Sequence, residues 1–551
     1  MMHGAVRPRL WPWLLVLLGC LAMWMVVVET IICPASLITE PTPMSQRLAW
    51  WLLPPLLLVL TLFGGQWALA SATLNVATAR QQQQLALEAE QHALVAKGVA
   101  DAKAQQQFTL EIRSLAVTVD RYRQMKLWQR LDEIDNPWQN ILDRDPNSYQ
   151  WEARARRIVN TQRFNKTLEN ALRLWVERWP IPVLVTDGRG WGINQILKAQ
   201  HGSGLGIHMF TGLASHQGDG GDVLVQQLFR FFDDNPTLPA ALLLSTDSQE
   251  DYLGGKDARF VPTMPDSMAA LLVTRTDRVD QFIRPYAVEV PYKLNYHDKR
   301  YDVIKLWNFY FDAEEVYEKS PKAYTVMPTT YWNEQVKTLI EEVDPNAGQG
   351  QYLPFWDGGK SGFKPTPWIP VRWTKWQLQD EYDRAPLLGY LHRPVEVSLQ
   401  GDRHQQTDAM VEGWRQALAT LPDGQAPKWL FYDIGRDDRR IVPFSSAMAL
   451  RTTPHALDFA DAQTSYNLTR RVADTGASSP FVMLGLATMK SYRDGGVSAT
   501  VHLRQDGRAS IIMVSPPSDA EKAGNKPNSY NGGKAPDPAK PYDPFVERRV
   551  Q

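Results

Sequence analysis

The sequence predicts an α/β protein in which an N-terminal two-helix membrane hairpin precedes a duplicated α/β body. Three observations predict it. Residues 10–28 and 48–70 are uncharged apolar runs. From about residue 110 onward, helical apolar stripes alternate with short buried-strand patterns. Finally, DVLVQQLFRFFDDNPTLPAALLLSTD (222–247) and DAMVEGWRQALATLPDGQAPKWLFYD (408–433) superimpose under one ungapped shift.

Each apolar run is long enough to cross a hydrocarbon core of roughly 30 Å, which takes about 20 helical residues. Pro54 and Pro55 fall in the second run, where a membrane helix tolerates them. A cleaved signal peptide explains the first run less well, because it goes on too long and a second span follows. LLGC, ending at Cys20, is loosely lipobox-like, but LAMWMVVV after it is too apolar for the start of a mature lipoprotein. Arg7 and Arg9 precede the first span, whereas the connector holds Glu29 and Glu40 with Arg47 its one cation. Both termini are therefore expected in the cytoplasm. The expected organisation is two transmembrane helices (1–72), a helical stalk (73–109), a first α/β half (110–285), an aromatic-rich insertion (286–385), a second α/β half (386–515) and a disordered tail (516–551).

The stalk follows from the Ala, Gln, Glu and Leu of 79–107, all good helix formers without a sustained heptad. LEIRSLAVTVDR reads as a strand or short helix, 151–179 as an amphipathic helix and IPVLVTDG as a buried strand. In 222–247, Val223, Val225, Leu228, Phe229 and Phe232 form a helical stripe. Asp222 stands where a carboxylate can cap the helix, and Pro236 closes it before a buried strand. In 408–433, Met410, Val411, Trp414 and Leu418 form the stripe, Pro422 matches Pro236, and KWLFYD is the strand. The match extends from 260–275 to 441–453, where Val-Pro and Ser precede a small, apolar strand in each. The insertion is dense in Trp and Tyr, and its Gly/Pro-rich part (348–370) is expected on the surface. Trp356, Trp368, Trp373 and Trp376 are the candidate exposed, partner-binding anchors. The tail, rich in Pro, Gly, Asn and Lys, has almost nothing to bury.

Composition narrows the function. Apolar residues at 44 % and charged residues at 22 % are ordinary for a globular body, and a net charge of −1 gives no field to draw nucleic acid. The only cysteines are Cys20 and Cys33, so no cysteine nucleophile, cysteine-ligated zinc or disulfide framework lies downstream. GLASHQG around Ser215 lacks nucleophile-elbow spacing, and HGSGLG at 201–206 lacks the Lys-Ser/Thr of a phosphate loop. His201, His208 and His216 lack an acidic or cysteine partner at metal-site spacing. GDGGD (218–222) and DSQED (247–251) are better turns than calcium loops. No catalytic residue, metal or cofactor is expected.

The repeated helix–strand order is similar to the thiolase and ketosynthase fold, whose two halves resemble each other. In those enzymes a cysteine opens the helix before the buried strand, a place that Asp222 or its glycine neighbours hold here. A second resemblance rests on PVLVTDGRGWGINQ from Pro182, GDGGDVL from Gly218, LLLSTDS from Leu242 and PDSMAALLVTRTDRVDQFIRPYAVE from Pro265. These phrases resemble the type VI secretion lipase adaptor family over roughly residues 110–516. That resemblance implies an adaptor that holds a phospholipase toxin and delivers it to a VgrG-type spike. The hairpin departs from a soluble adaptor and implies a bacterial inner-membrane protein with its body in the cytoplasm. The alternatives are an inner-membrane scaffold unrelated to toxins and an acyl- or lipid-processing enzyme with an unrecognised site.

Overall fold

A long apolar run can satisfy its own backbone only as a helix, and the N-terminus does so twice. The computed structural model describes residues 10–32, 44–133, 139–171, 181–187, 208–213, 220–248, 256–289, 334, 361–369, 372–375, 377–459, 461–525 and 543–545. α1 (Leu10–Val27) ends in a π-helical turn, Val28–Ile32, and α2 runs unbroken over Met44–Gln106 with Pro54 and Pro55 inside it. Trp13 meets Phe63 edge-on at 5.7 Å between the two helices. Both carry stretches long and apolar enough to span a membrane, Trp11–Ile31 and Trp51–Thr73. α2 also holds most of the residues expected to form the stalk.

The chain divides into Met1–Lys103 and Ala104–Gln551. The second unit opens with β1 (Thr109–Val119), the strand-or-helix segment of the sequence, followed by β2 (Tyr122–Arg123) and α3 (Gln124–Asp132). Next come α4 (Ala153–Ala171), β3 (Ile181–Asp187), β4 (His208–Leu213) and α5 (Val223–Asp234). β5 (Ala240–Asp247), β6 (Ser267–Thr274) and α6 (Thr276–Phe282) complete the first half. The second half holds β7 (Gly389–His392), β8 (Val395–Ser398), α7 (Arg403–Leu418), β9 (Pro427–Asp433) and α8 (Ile441–Ala449). It continues with β10 (Ser465–Asn467), α9 (Leu468–Arg471), α10 (Ser479–Asp494), β11 (Val497–Leu503), β12 (Arg508–Ser515) and α11 (Asp519–Gly524).

The strands join in one sheet, in the order β10, β9, β11, β12, β7, β1, β6, β5, β3, β4. Antiparallel β1 and β7 meet at its centre, with Leu110 opposite Leu391. Moving outward from either, the pairings are antiparallel, antiparallel, parallel and parallel. The two halves therefore repeat each other in strand order and in strand sense. That correspondence corrects the pairing drawn from sequence. α5–β5 stands in the place of α10–β11, and α7–β9 in the place of α4–β3, so 222–247 and 408–433 occupy different positions in their halves. An amphipathic helix followed by a buried strand is common to all four units, and periodicity alone cannot say which is which. The extension fails as well: 267–274 is a strand, but Ile441–Ala449 is helical. Pro443 sits in the first turn of α8, where its missing N–H costs nothing.

β5 and β6 are buried along their whole length, as their continuous apolar runs require. α10 is buried from Ser479 to Met489, consistent with an apolar surface on all sides (SPFVMLGLATM). Gly485 gives it close approach, since a Cβ there would lie 2.1 Å from Val117 Cγ2 in β1. The opposite face of β9 and β11 packs a separate core, with Met410, Trp414 and Phe444 against Leu430 and Val501.

Two expectations about exposure fail. Trp368 and Trp373 are 1 % and 2 % exposed and belong to the main core, so neither is an exposed anchor. Trp368 stacks edge-on to Phe231 at 5.3 Å and donates its indole N–H to Asn235 Oδ1 at 3.0 Å. Trp373 packs against Tyr382. Of the stretch expected as surface, the described residues Phe363, Trp368 and Ile369 belong to the core instead. Trp356 and Trp376 lie outside the described residues. The tail is also not uniformly structureless, because α11 has a capping box of Ser518 and Glu521 and Phe545 is buried against Tyr492.

Candidate functional site

In an α/β sheet the carboxyl ends of parallel strands gather polar side chains, because the strands stop there and helix N-termini begin. Here the relevant ends belong to β9 and β11, and the helices are α5 and α10. β11 alternates: Val497, Ala499, Val501 and Leu503 enter the second core, which leaves Ser498, Thr500, His502 and Arg504 for the other face.

Asp433, the last residue of β9, is buried beside His502, with Nδ1 at 3.4 Å from Asp433 Oδ2. Its Oδ1 accepts from the Gly435 N–H at 3.0 Å and from the Thr469 hydroxyl. Burial alone would raise this carboxyl, but His502, Thr469 and the Gly435 N–H together hold it down at about 2. Two residues along β11, Arg504 is 5 % exposed and meets Asp222 at 3.5 Å and Glu396 at 3.2 Å. Asp222 is fully buried at the start of α5 and makes no capping hydrogen bond. The capping role expected for it is therefore replaced by an ion pair with Arg504.

The N-terminus of α10 is filled in a related way. Asp247, at the end of β5, accepts from the Ser248 N–H at 2.9 Å and from the Ala477 N–H at 2.8 Å. Gly476, at φ +55°, lets the carboxylate in, since a Cβ there would lie 2.1 Å from Asp247 Oδ2. The α5 start and the loop before α10 also touch, because a Cβ on Gly221 would fall 2.1 Å from the Ala477 carbonyl oxygen. The turn before α10 is thus closed by the Asp247 carboxylate, and the buried Asp222 is not available to a substrate. Among the described residues no group of three His, Cys, Asp or Glu side chains is set for a metal. His201 and His216 lie outside those residues, and His208 opens β4.

Sequence reasoning missed Arg504, His502, Asp433 and Glu396. The signal was present in VSATVHLRQ, whose every second residue is polar in an otherwise buried strand. Reading it needed the knowledge that both faces of this strand are covered.

Family models for the type VI lipase adapter protein Tla3 match this chain twice, the N-terminal model over residues 108–258 and the C-terminal model over 388–516, together just over half of it. The chain belongs to the Tla3 family of type VI lipase adapters. The two matches fall on the two halves of the sheet and leave out the hairpin, nearly all of the stalk and tail, the insertion, and β6 and α6. Membership implies a lipase adapter role in type VI secretion. Among solved structures, this adapter is similar to an oxazolomycin ketosynthase domain of Streptomyces albus, at 7 % identity and TM-score 0.39, over 75 % of this chain and 96 % of that one. It is also similar to 3-oxoacyl-[acyl-carrier-protein] synthase III of Aquifex aeolicus, at 8 % identity and TM-score 0.31, over 74 % and 99 %. A third is the ishigamide ketosynthase/chain length factor, at 9 % and 0.40, over 75 % and 100 %. At these values the likenesses carry nothing about what the adapter does.

Proposed function

We propose that this chain is a non-catalytic, membrane-anchored adapter that binds a type VI lipase effector and helps load it on a VgrG-type secretion spike. The observation that carries the reading is the pair of family matches, one on each half of the body. The burial of Asp222 in a pair with Arg504 supports its non-catalytic part, because it keeps that carboxylate from a substrate. The two apolar helices support anchoring in the bacterial inner membrane with the body in the cytoplasm. The repeated strand order supports an internally duplicated body. The lipase contact is expected on the 286–385 insertion, through Trp356 and Trp376 and not through the two core tryptophans.

Affinity purification of the full chain from membranes of its own host tests this. A phospholipase and a spike protein retained together, and lost when Trp356 and Trp376 are both changed to alanine, is the expected result. A folded chain that retains neither protein would remove the adapter reading. Phospholipid or acyl-thioester turnover abolished by Asp222→Asn would replace it with an enzyme.

A further inference from the structure

A cavity of about 490 Å³ opens between the first turn of α7, the start of α8 and the turn joining β11 to β12. Four of its lining residues are arginines: Arg403, Arg439, Arg440 and Arg504. Asp437 is the one carboxylate among the described residues lining it, and its oxygens are engaged by Arg439, whose Nε and Nη2 each donate at 3.0 Å. Arg403 is exposed and has no ion-pair partner among the described residues. A 3-10 turn, Asp438–Arg440, capped by the Asp437 side chain, runs straight into α8 at this cavity, so the positive charge there comes from guanidinium groups. The buried Arg504 supplies an independent observation. Its Nε and Nη2 have no well-aligned hydrogen bond, and its charge is balanced by Asp222 at 3.5 Å, Glu396 at 3.2 Å and Asp506 at 3.9 Å.

We propose that this cavity binds a phosphate-bearing ligand, its oxyanion held by Arg403, Arg440 and Arg504. Planar guanidinium groups match a phosphate in bidentate fashion. The cavity is of the size that holds a small ligand, larger than the phosphate alone needs. Glu396 and Asp506 stand behind Arg504, so a ligand takes the place of part of its contact with them. The site lies at the β11–β12 turn in the second half and draws nothing from the adapter reading, which it neither needs nor supports.

The test is isothermal titration of the full chain, in neutral detergent at fixed ionic strength, with pyrophosphate and with glycerol 3-phosphate. Saturable binding is expected, weakened roughly tenfold or more by Arg403→Ala. Arg403→Lys should recover part of it, and Arg415→Ala, on the same helix but outside the cavity, should leave it unchanged. Absence of saturable heat, or equal weakening by Arg403→Ala and Arg415→Ala, overturns the proposal. A parallel titration with dihexanoyl phosphatidic acid separates the sources. Tighter binding of the lipid assigns the site to a phospholipid headgroup, and tighter binding of the soluble phosphates assigns it to a free metabolite.

Discussion

Trp373 and His392 are single residues whose surroundings fix what a substitution must do. Trp373→Ala empties a core position packed against Tyr382, and urea unfolding of the body is expected to lose about 3–5 kcal/mol. A loss under about 1 kcal/mol would mean that the side chain is exposed after all. His392 is buried with Nδ1 2.9 Å from the Thr420 carbonyl and Nε2 2.6 Å from Ser515 Oγ. The carbonyl can only accept, so Nδ1 holds the proton and Nε2 accepts from the serine hydroxyl. Burial pushes this imidazole down to about 4, against the partial counterweight of the Thr420 carbonyl. Its folded value lies below its unfolded value, so the folded state binds fewer protons in between. Its contribution to stability is present above pH 6.5 and is lost as the pH falls toward 4, by about 3 kcal/mol at most. Asp433 adds a second, more acidic loss as the pH falls from its ordinary value toward 2. Unfolding midpoints from pH 7 to pH 4 should fall more steeply for the parent than for His392→Gln; parallel curves would refute the assignment.

α10 is the element on which the body turns, since it packs on β1, β6, β9 and β11. Its surface has no polar face to orient it, so shape decides its depth. At Gly485 a methyl group would enter the space of Val117 Cγ2, and Gly485→Ala is expected to cost about 1–3 kcal/mol in thermal or urea unfolding. No measurable change would mean that α10 lifts off β1 without strain. α7 shows the opposite regime. Asp402 caps it by accepting from the N–H groups of His404 and Gln405, and Asp402→Ala should cost about 1 kcal/mol without altering the core. Element by element, β3, β5, β6, β9, α5 and α7 were legible in the sequence, because each has one apolar period over its full length. α8 was not, because VPFSSAMA has apolar residues at both strand and helix spacing and a proline that suits a helix start.

At the scale of the molecule, the N-terminal unit and the body are separate in their internal packing. A chain beginning at Ala104 is expected to unfold cooperatively in aqueous buffer without detergent. The full chain is expected in the membrane pellet and the shortened one in the soluble fraction after lysis and centrifugation. Recovery of the shortened chain in the pellet as folded protein would place a membrane contact in the body itself. The strand order explains why the repeat was visible but misaligned. Each half contributes two helix–strand units of the same apolar pattern, so a linear comparison can match the second unit of one half to the first unit of the other. Only the pairing through β1 and β7 at the centre shows which positions correspond.

Sequence alone determined the classes of element: two helices apolar enough for a membrane, an α/β body of repeated units, and a chain without thiol chemistry beyond its N-terminus. Those properties depend on composition and on period, and both can be read along a line. Tertiary structure decided which tryptophans are covered and that Asp222 pairs with Arg504, far along the chain. It also decided that the turn before α10 closes on Asp247 while four arginines gather at one cavity. The physical reason is burial, which is set by what packs on the second face of an element and leaves no mark in that element's own residues.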